Sequence, residues 1–97
     1  MTKVQLKRVG TAYLVRSEGH ATGSAEVCAA VSALMQALEG WLQAEKAVVI
    51  HEMRMEPGDC ELCFSGDCEQ AFSLICVGFL RLQATAPELV QAEIEES

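Results

Sequence analysis

Ala12-Tyr13-Leu14-Val15-Arg16-Ser17-Glu18-Gly19-His20-Ala21-Thr22-Gly23-Ser24-Ala25-Glu26-Val27-Cys28-Ala29-Ala30-Val31 is the stretch in which the chain changes its period. Up to Glu18, Tyr13 and Val15 alternate with Leu14 and Arg16, the two-residue spacing of a strand. From Ala25 to about Ala44, Val27, Val31, Leu34, Leu38 and Trp41 recur every three or four residues with no Pro among them, which predicts an amphipathic helix. The residues between, Gly19 to Ser24, are small and form a loop. Ser24 is placed to cap the helix, and Glu26 suits the positive end of its dipole.

Outward from this junction the chain reads as three more hairpin strands and a second helix. Lys3 to Val9 alternates as a strand, and Gly10 leaves room only for a tight turn, so the first two strands form an antiparallel hairpin. Ala47 to Met55 is a third strand. Glu56-Pro57-Gly58-Asp59 is a turn, with Pro presetting the second position and Gly allowing positive φ at the third. Cys60 to Ser65 returns as a fourth strand. Asp67, with Gln70 three residues on, matches a capping box for a second helix. Its stripe is Phe72, Ile75, Phe79 and Leu82, widened by Leu74, Val77 and Leu80, which predicts the more buried of the two helices. Beyond Pro87, Val90, Ala92 and Ile94 alternate with acids, as in a short edge strand or a frayed tail. The order ββαββα(β) predicts an α+β two-layer sandwich: an antiparallel sheet of four to five strands with both helices on one face, residues 1–97 forming one domain.

Composition narrows the function classes. The 97 residues carry 14 acidic and 7 basic side chains, a formal net charge of −7, which argues against coating nucleic acid, since phosphate binding needs clustered Lys and Arg. It is compatible with a basic protein or peptide partner. No run of about 18 apolar residues marks a membrane span, and the first residues lack the apolar stretch of a signal peptide. A cytoplasmic location is therefore expected. There the 5 cysteines read as free thiols, ligands or nucleophiles rather than bridges, in keeping with their odd number.

His20 falls at the end of the second strand and Cys28 near the start of the first helix. The loop between them is long enough to fold back and bring imidazole to thiol. Unpaired N–H groups and the helix dipole favour thiolate there, and an imidazole can take up the thiol proton and later return it to a leaving amine. Backbone N–H groups at the same helix end suit an oxyanion. Ser32 shares the Cys28 face at i, i+4, while Ala25, Ala29 and Ala33 keep the neighbouring surface low. Spacing is equally met by a small buried Cys packed against the sheet and a His on a surface loop.

The wording of the motif resembles the ribosomal-processing cysteine protease family, Prp. That family carries Gly-His-Ala at a strand end, a mobile glycine-containing loop, and Val-Cys-Ala-Ala/Gly-x-Ser-Ala at a helix start. Gly19-His20-Ala21 and Val27-Cys28-Ala29-Ala30-Val31-Ser32-Ala33 match it residue by residue. The resemblance implies a small cytoplasmic homodimeric cysteine endopeptidase without cofactor or metal, with Cys28 as nucleophile, His20 as base, and Ser32, Gly19, Ala21, Gly23 and Ala29 as supporting or substrate-binding residues. The implied partner is the precursor of a large-subunit ribosomal protein of the L-twenty-seven type. Its basic N-terminal extension is removed during ribosome assembly. Two features depart from the family. Ala25 stands where the family has Asp, three residues before the Cys, and the His-to-Cys loop is shorter. The missing Asp favours a rival, a non-catalytic module that binds the same ribosomal-protein tail, and the shorter loop bears on how substrate is admitted.

The remaining chemistry-bearing residues read more simply. Cys60, Cys63 and Cys68 resemble half a zinc cluster, but Cys60 and Cys63 have opposite parity on a strand and would face apart, so packing thiols are expected. His51 reads as a half-buried sheet histidine. Glu93, Glu95 and Glu96 read as a soluble tail.

Overall fold

The computed structural model describes residues 1–97 as seven elements: β1 (Thr2–Val9), β2 (Ala12–Glu18), α1 (Ala25–Ala44), β3 (Val48–Glu56), β4 (Asp59–Gly66), α2 (Glu69–Thr85) and β5 (Val90–Glu96). The strands form one sheet in the order β3-β4-β2-β1-β5, on one face of which the helices pack. The expected α+β sandwich is present. Four strands pair antiparallel, but β5 lies parallel to β1, from Thr2 opposite Val90 to Arg8 opposite Glu96, so the sheet is mixed. The parallel pairing follows from the crossover through α2, which returns the chain to the edge beside β1 in the same direction. Residues 90–96 are thus an edge strand, whose Glu95 meets Lys7 at 3.6 Å.

Alternation sorts the strands into an inner and an outer face. Val4, Leu6, Tyr13, Val15, Leu62, Phe64 and Val90 are buried under the helices. From above, α1 contributes Val31, Met35, Leu38 and Leu42, and α2 contributes Phe72, Ile75, Cys76 and Phe79. Tyr13 stacks on Phe64 at 5.3 Å between ring centroids and tilts against Phe72 at 5.0 Å, joining sheet and helix. The outer face carries an ion-pair network around Glu61, with Arg16 bonded to Glu18 at 2.7 Å and Arg54 to Asp59 at 3.0 Å.

Three expectations are corrected. Cys68, not Asp67, is the N-cap of α2, and it makes no side-chain capping bond; the thiol is turned into the core instead. Leu74, Val77 and Leu80 do not widen the buried face of α2: they are 71%, 52% and 43% exposed. At 100° per residue, the row through 74, 77 and 80 lies across the helix from Phe72, Ile75, Cys76 and Phe79. Each helix therefore buries four residues, and α2 is not set apart by its burial. His51 is exposed rather than half-buried. The β3–β4 register slips between Ile50 and Glu52, and His51 is the extra residue of this bulge, where its Nε2 lies 2.8 Å from Ser65 Oγ.

Candidate active site

Local bonding makes the β2–α1 junction compact. Ser24 is extended (φ −138°, ψ 102°), and its Oγ accepts from the Val27 N–H at 3.2 Å, as the sequence pattern predicts. The Ser24 hydroxyl also reaches Glu26 Oε2 at 3.4 Å. The Cys28 N–H makes the first helical bond, to Ser24 O at 3.3 Å. Ala25 and Glu26 lie too early in the helix for their N–H groups to have an acceptor within it. Ala21 is 2% exposed, and its carbonyl accepts both the Ser24 N–H at 3.1 Å and the Cys28 thiol at 3.6 Å. The loop thus folds back on the helix start.

Beside this junction lies a cleft of about 270 Å³. Its wall on α1 is made by Cys28, Val31, Ser32, Met35 and Gln36, one stripe at helical spacing. Its floor includes Ser17 and Cys60, paired across β2 and β4, with Met55 beyond on β3. Gly19 and His20 lie at the end of β2, facing the β3–β4 turn of Glu56, Pro57 and Gly58. Glu56 is the sole carboxylate among the lining residues, and none is Lys or Arg.

Of the residues singled out from the sequence, Cys28, His20, Ser32 and Gly19 line this cleft. The thiol donates to the Ala21 carbonyl. Ala21 underlies the cleft through that carbonyl, whereas Gly23 and Ala29 are exposed away from it. Ser17, Met55, Cys60 and the 56–58 turn were not anticipated as site residues. Strand alternation could have indicated Ser17, a polar side chain at an inward position, and it is 5% exposed. Nothing local to residues 56–58 points to His20, because their approach depends on the pairing of β2 with β4.

The other thiols sit in different surroundings. Cys60 donates to Glu56 O at 3.4 Å inside the cleft. Cys63 faces the outer side, as parity predicts, where burial and the neighbouring Glu61 raise its pKa. Burial pushes the Cys68 thiol up, and pushes Cys76 up to about 11.

A thiol beside the start of a helix and an imidazole lining the same cleft are the equipment for nucleophilic attack on a carbonyl. No protein-family model and no curated protein sequence matches the chain. Solved structures do match it, among them two that it covers over nearly their whole length. One is SMU.848 from Streptococcus mutans, 22% identical, TM-score 0.75, covering 100% of this chain and 99% of that one. The other is the essential ribosomal processing protease Prp from S. aureus, in complex with a covalently linked product peptide. It is 16% identical, with a TM-score of 0.76, and covers 97% of this chain and 99% of that one. Residues 1–97 therefore adopt the fold of the ribosomal processing protease Prp.

Proposed function

We propose that the protein is a cysteine endopeptidase of the Prp type, acting as one domain through Cys28 and His20. The observation that carries this reading is that His20, from the end of β2, and Cys28, from the first turns of α1, line one cleft of a Prp-like fold. His20 takes the thiol proton, and the thiolate adds to the scissile carbonyl. The N–H groups at the start of α1 stabilise the oxyanion. Collapse of the tetrahedral adduct forms a thioester and releases the amine, which receives the proton from His20; water then cleaves the thioester and restores the thiol. Ser32, next to Cys28 on the cleft wall, contacts the substrate main chain.

The substrate is the basic N-terminal extension of a large-subunit ribosomal protein of the L-twenty-seven type, and the setting is the cytoplasm, where the enzyme works as a homodimer. The motif Gly19-His20-Ala21 with Val27-Cys28-Ala29 supports this substrate class, and the product peptide covalently linked to the S. aureus protease supports a peptide as substrate. A cleft lined by one carboxylate and by no Lys or Arg side chain suits a basic peptide. Incubated with precursor ribosomal protein under reducing conditions, the wild type yields a trimmed product by mass spectrometry, and Cys28→Ala yields none. A wild type that binds the precursor and never trims it sinks the enzymatic reading. It would leave the second one, a binding module, which Ala25 in the place of the family Asp favours.

A further inference from the structure

The β3–β4 turn reaches the candidate base from a part of the chain that the His and Cys motifs do not contain. Two contacts join them. The Gly19 N–H donates to Gly58 O at 2.8 Å, which holds the peptide just before His20. The Gly58 Cα also faces the Nε2 edge of the imidazole so closely that a Cβ built there would overlap Nε2, lying 2.6 Å from Cε1 and 3.1 Å from Cδ2. The first contact constrains the backbone of the base and the second its ring. The turn is itself held in place by the ladder that pairs Glu18 with Asp59, and by Arg54 bonded to Asp59 at 3.0 Å.

Resting on the Cys28–His20 reading, we infer that Gly58 is a positioning residue for His20. Its carbonyl fixes the approach of the chain and its bare Cα backs the imidazole, closing that side of the cleft to ring rotation. A base displaced by a fraction of an ångström loses its alignment with the thiol, and rate falls steeply with such misplacement.

Gly58 has φ +73°, so a side chain there carries backbone strain as well as the overlap. Gly10, in the β1–β2 turn, has φ +62° and nothing within 4 Å of a built Cβ. Gly10→Ala therefore reproduces the strain without the contact. With a peptide spanning the N-terminal extension of an L-twenty-seven-type ribosomal protein, Gly58→Ala is expected to lower kcat about 10- to 100-fold and leave KM within about twofold. Its kcat–pH profile shifts as well. Gly10→Ala is expected to stay within about twofold of wild type. Gly58→Asn, better suited to positive φ, gives the same loss and serves if the alanine variant unfolds. By NMR, His20, one of only 2 imidazoles, shows ring contacts to the Gly58 Hα protons, and its ring resonances move in Gly58→Ala or Gly58→Asn but not in Gly10→Ala. Wild-type kcat, pH profile and His20 ring resonances in the Gly58 variants overturn the inference. So do equal losses in the Gly58 and Gly10 variants, which would assign the effect to strain. A wild type that cleaves nothing defeats the protease reading instead, and the His20 ring contacts and resonances then decide the positioning claim alone.

Discussion

Each helix of this protein begins beside a cysteine, and the two thiols differ in almost everything else. Cys28 lies in the first turns of α1, above a Ser24 cap whose Oγ takes the Val27 N–H, and its side chain lines an open cleft with His20. Cys68 is itself the N-cap of α2, makes no capping bond and is 1% exposed, packed in the main core with its pKa raised by burial. The helix dipole acts at both starts. What separates them is access. The α1 start stands at the end of the sheet where β2 finishes and the β3–β4 turn leaves a gap, whereas the α2 start is closed over by the core. A position at a helix start is therefore not enough to make a reactive thiol.

The largest expected effect tests that contrast directly. Cys28→Ala should remove cleavage of the precursor by at least about a thousandfold while leaving the thermal midpoint nearly unchanged. Cys68→Ala should retain cleavage within about threefold and cost about 1 kcal/mol by opening a small cavity. A Cys68→Ala protein as inactive as Cys28→Ala, yet folded by circular dichroism, would erase the distinction.

Alkylation sharpens it next. With iodoacetamide near neutral pH and peptide mass mapping, Cys28 should be modified well before Cys68 and Cys76. Cys76, raised to about 11 by burial above all, remains a thiol across that range. Its folded value lies above the ordinary thiol value of 9.0, so folding favours the protonated form; the stability this contributes is complete below about pH 9 and is lost as pH rises toward about 11. Early labelling of Cys76 near neutral pH would contradict the packing described.

Removing the cap gives an intermediate effect. Ser24→Ala deletes the acceptor of the Val27 N–H and should lower stability by about 1 kcal/mol, or about 4–8 °C in Tm for a chain of this size. No equivalent loss is available at α2, where no side-chain cap exists. The smallest effect concerns the turn behind His20. Arg54, bonded to Asp59, holds that carboxyl below its usual range. The stability from this depressed value is present above the unfolded carboxylate range and is lost as pH falls through the folded value. Asp59→Asn should therefore flatten the fall in Tm between about pH 5 and pH 2, and an unchanged slope would remove the pair from the account.

Much of the molecule is legible along the chain because its causes are local. The period change at Gly19 to Ser24, the Ser24 cap and the Glu56-Pro57-Gly58-Asp59 turn each depend on a few consecutive residues, and all three appear where the pattern puts them. The His20 and Cys28 motif is equally local, which is why both residues of the candidate dyad could be named. The failures are the places where local signals compete. Asp67 and Cys68 both offer a start for α2, and burial of the thiol at the lower edge of the core selects Cys68. Leu74, Val77 and Leu80 look like core residues by type, but their angular position on α2 puts them outside.

Element order and the limits of α1 thus follow from residue type and spacing over short stretches, and the wording of one short motif names the candidate dyad. The cleft itself does not. It exists because β2 pairs with β4, bringing Ser17 opposite Cys60 and Gly19 to Gly58. That pairing joins residues about 40 positions apart, and no short-range pattern encodes which strands will share hydrogen bonds. Whether His20 has a wall behind it is settled only when the sheet is assembled.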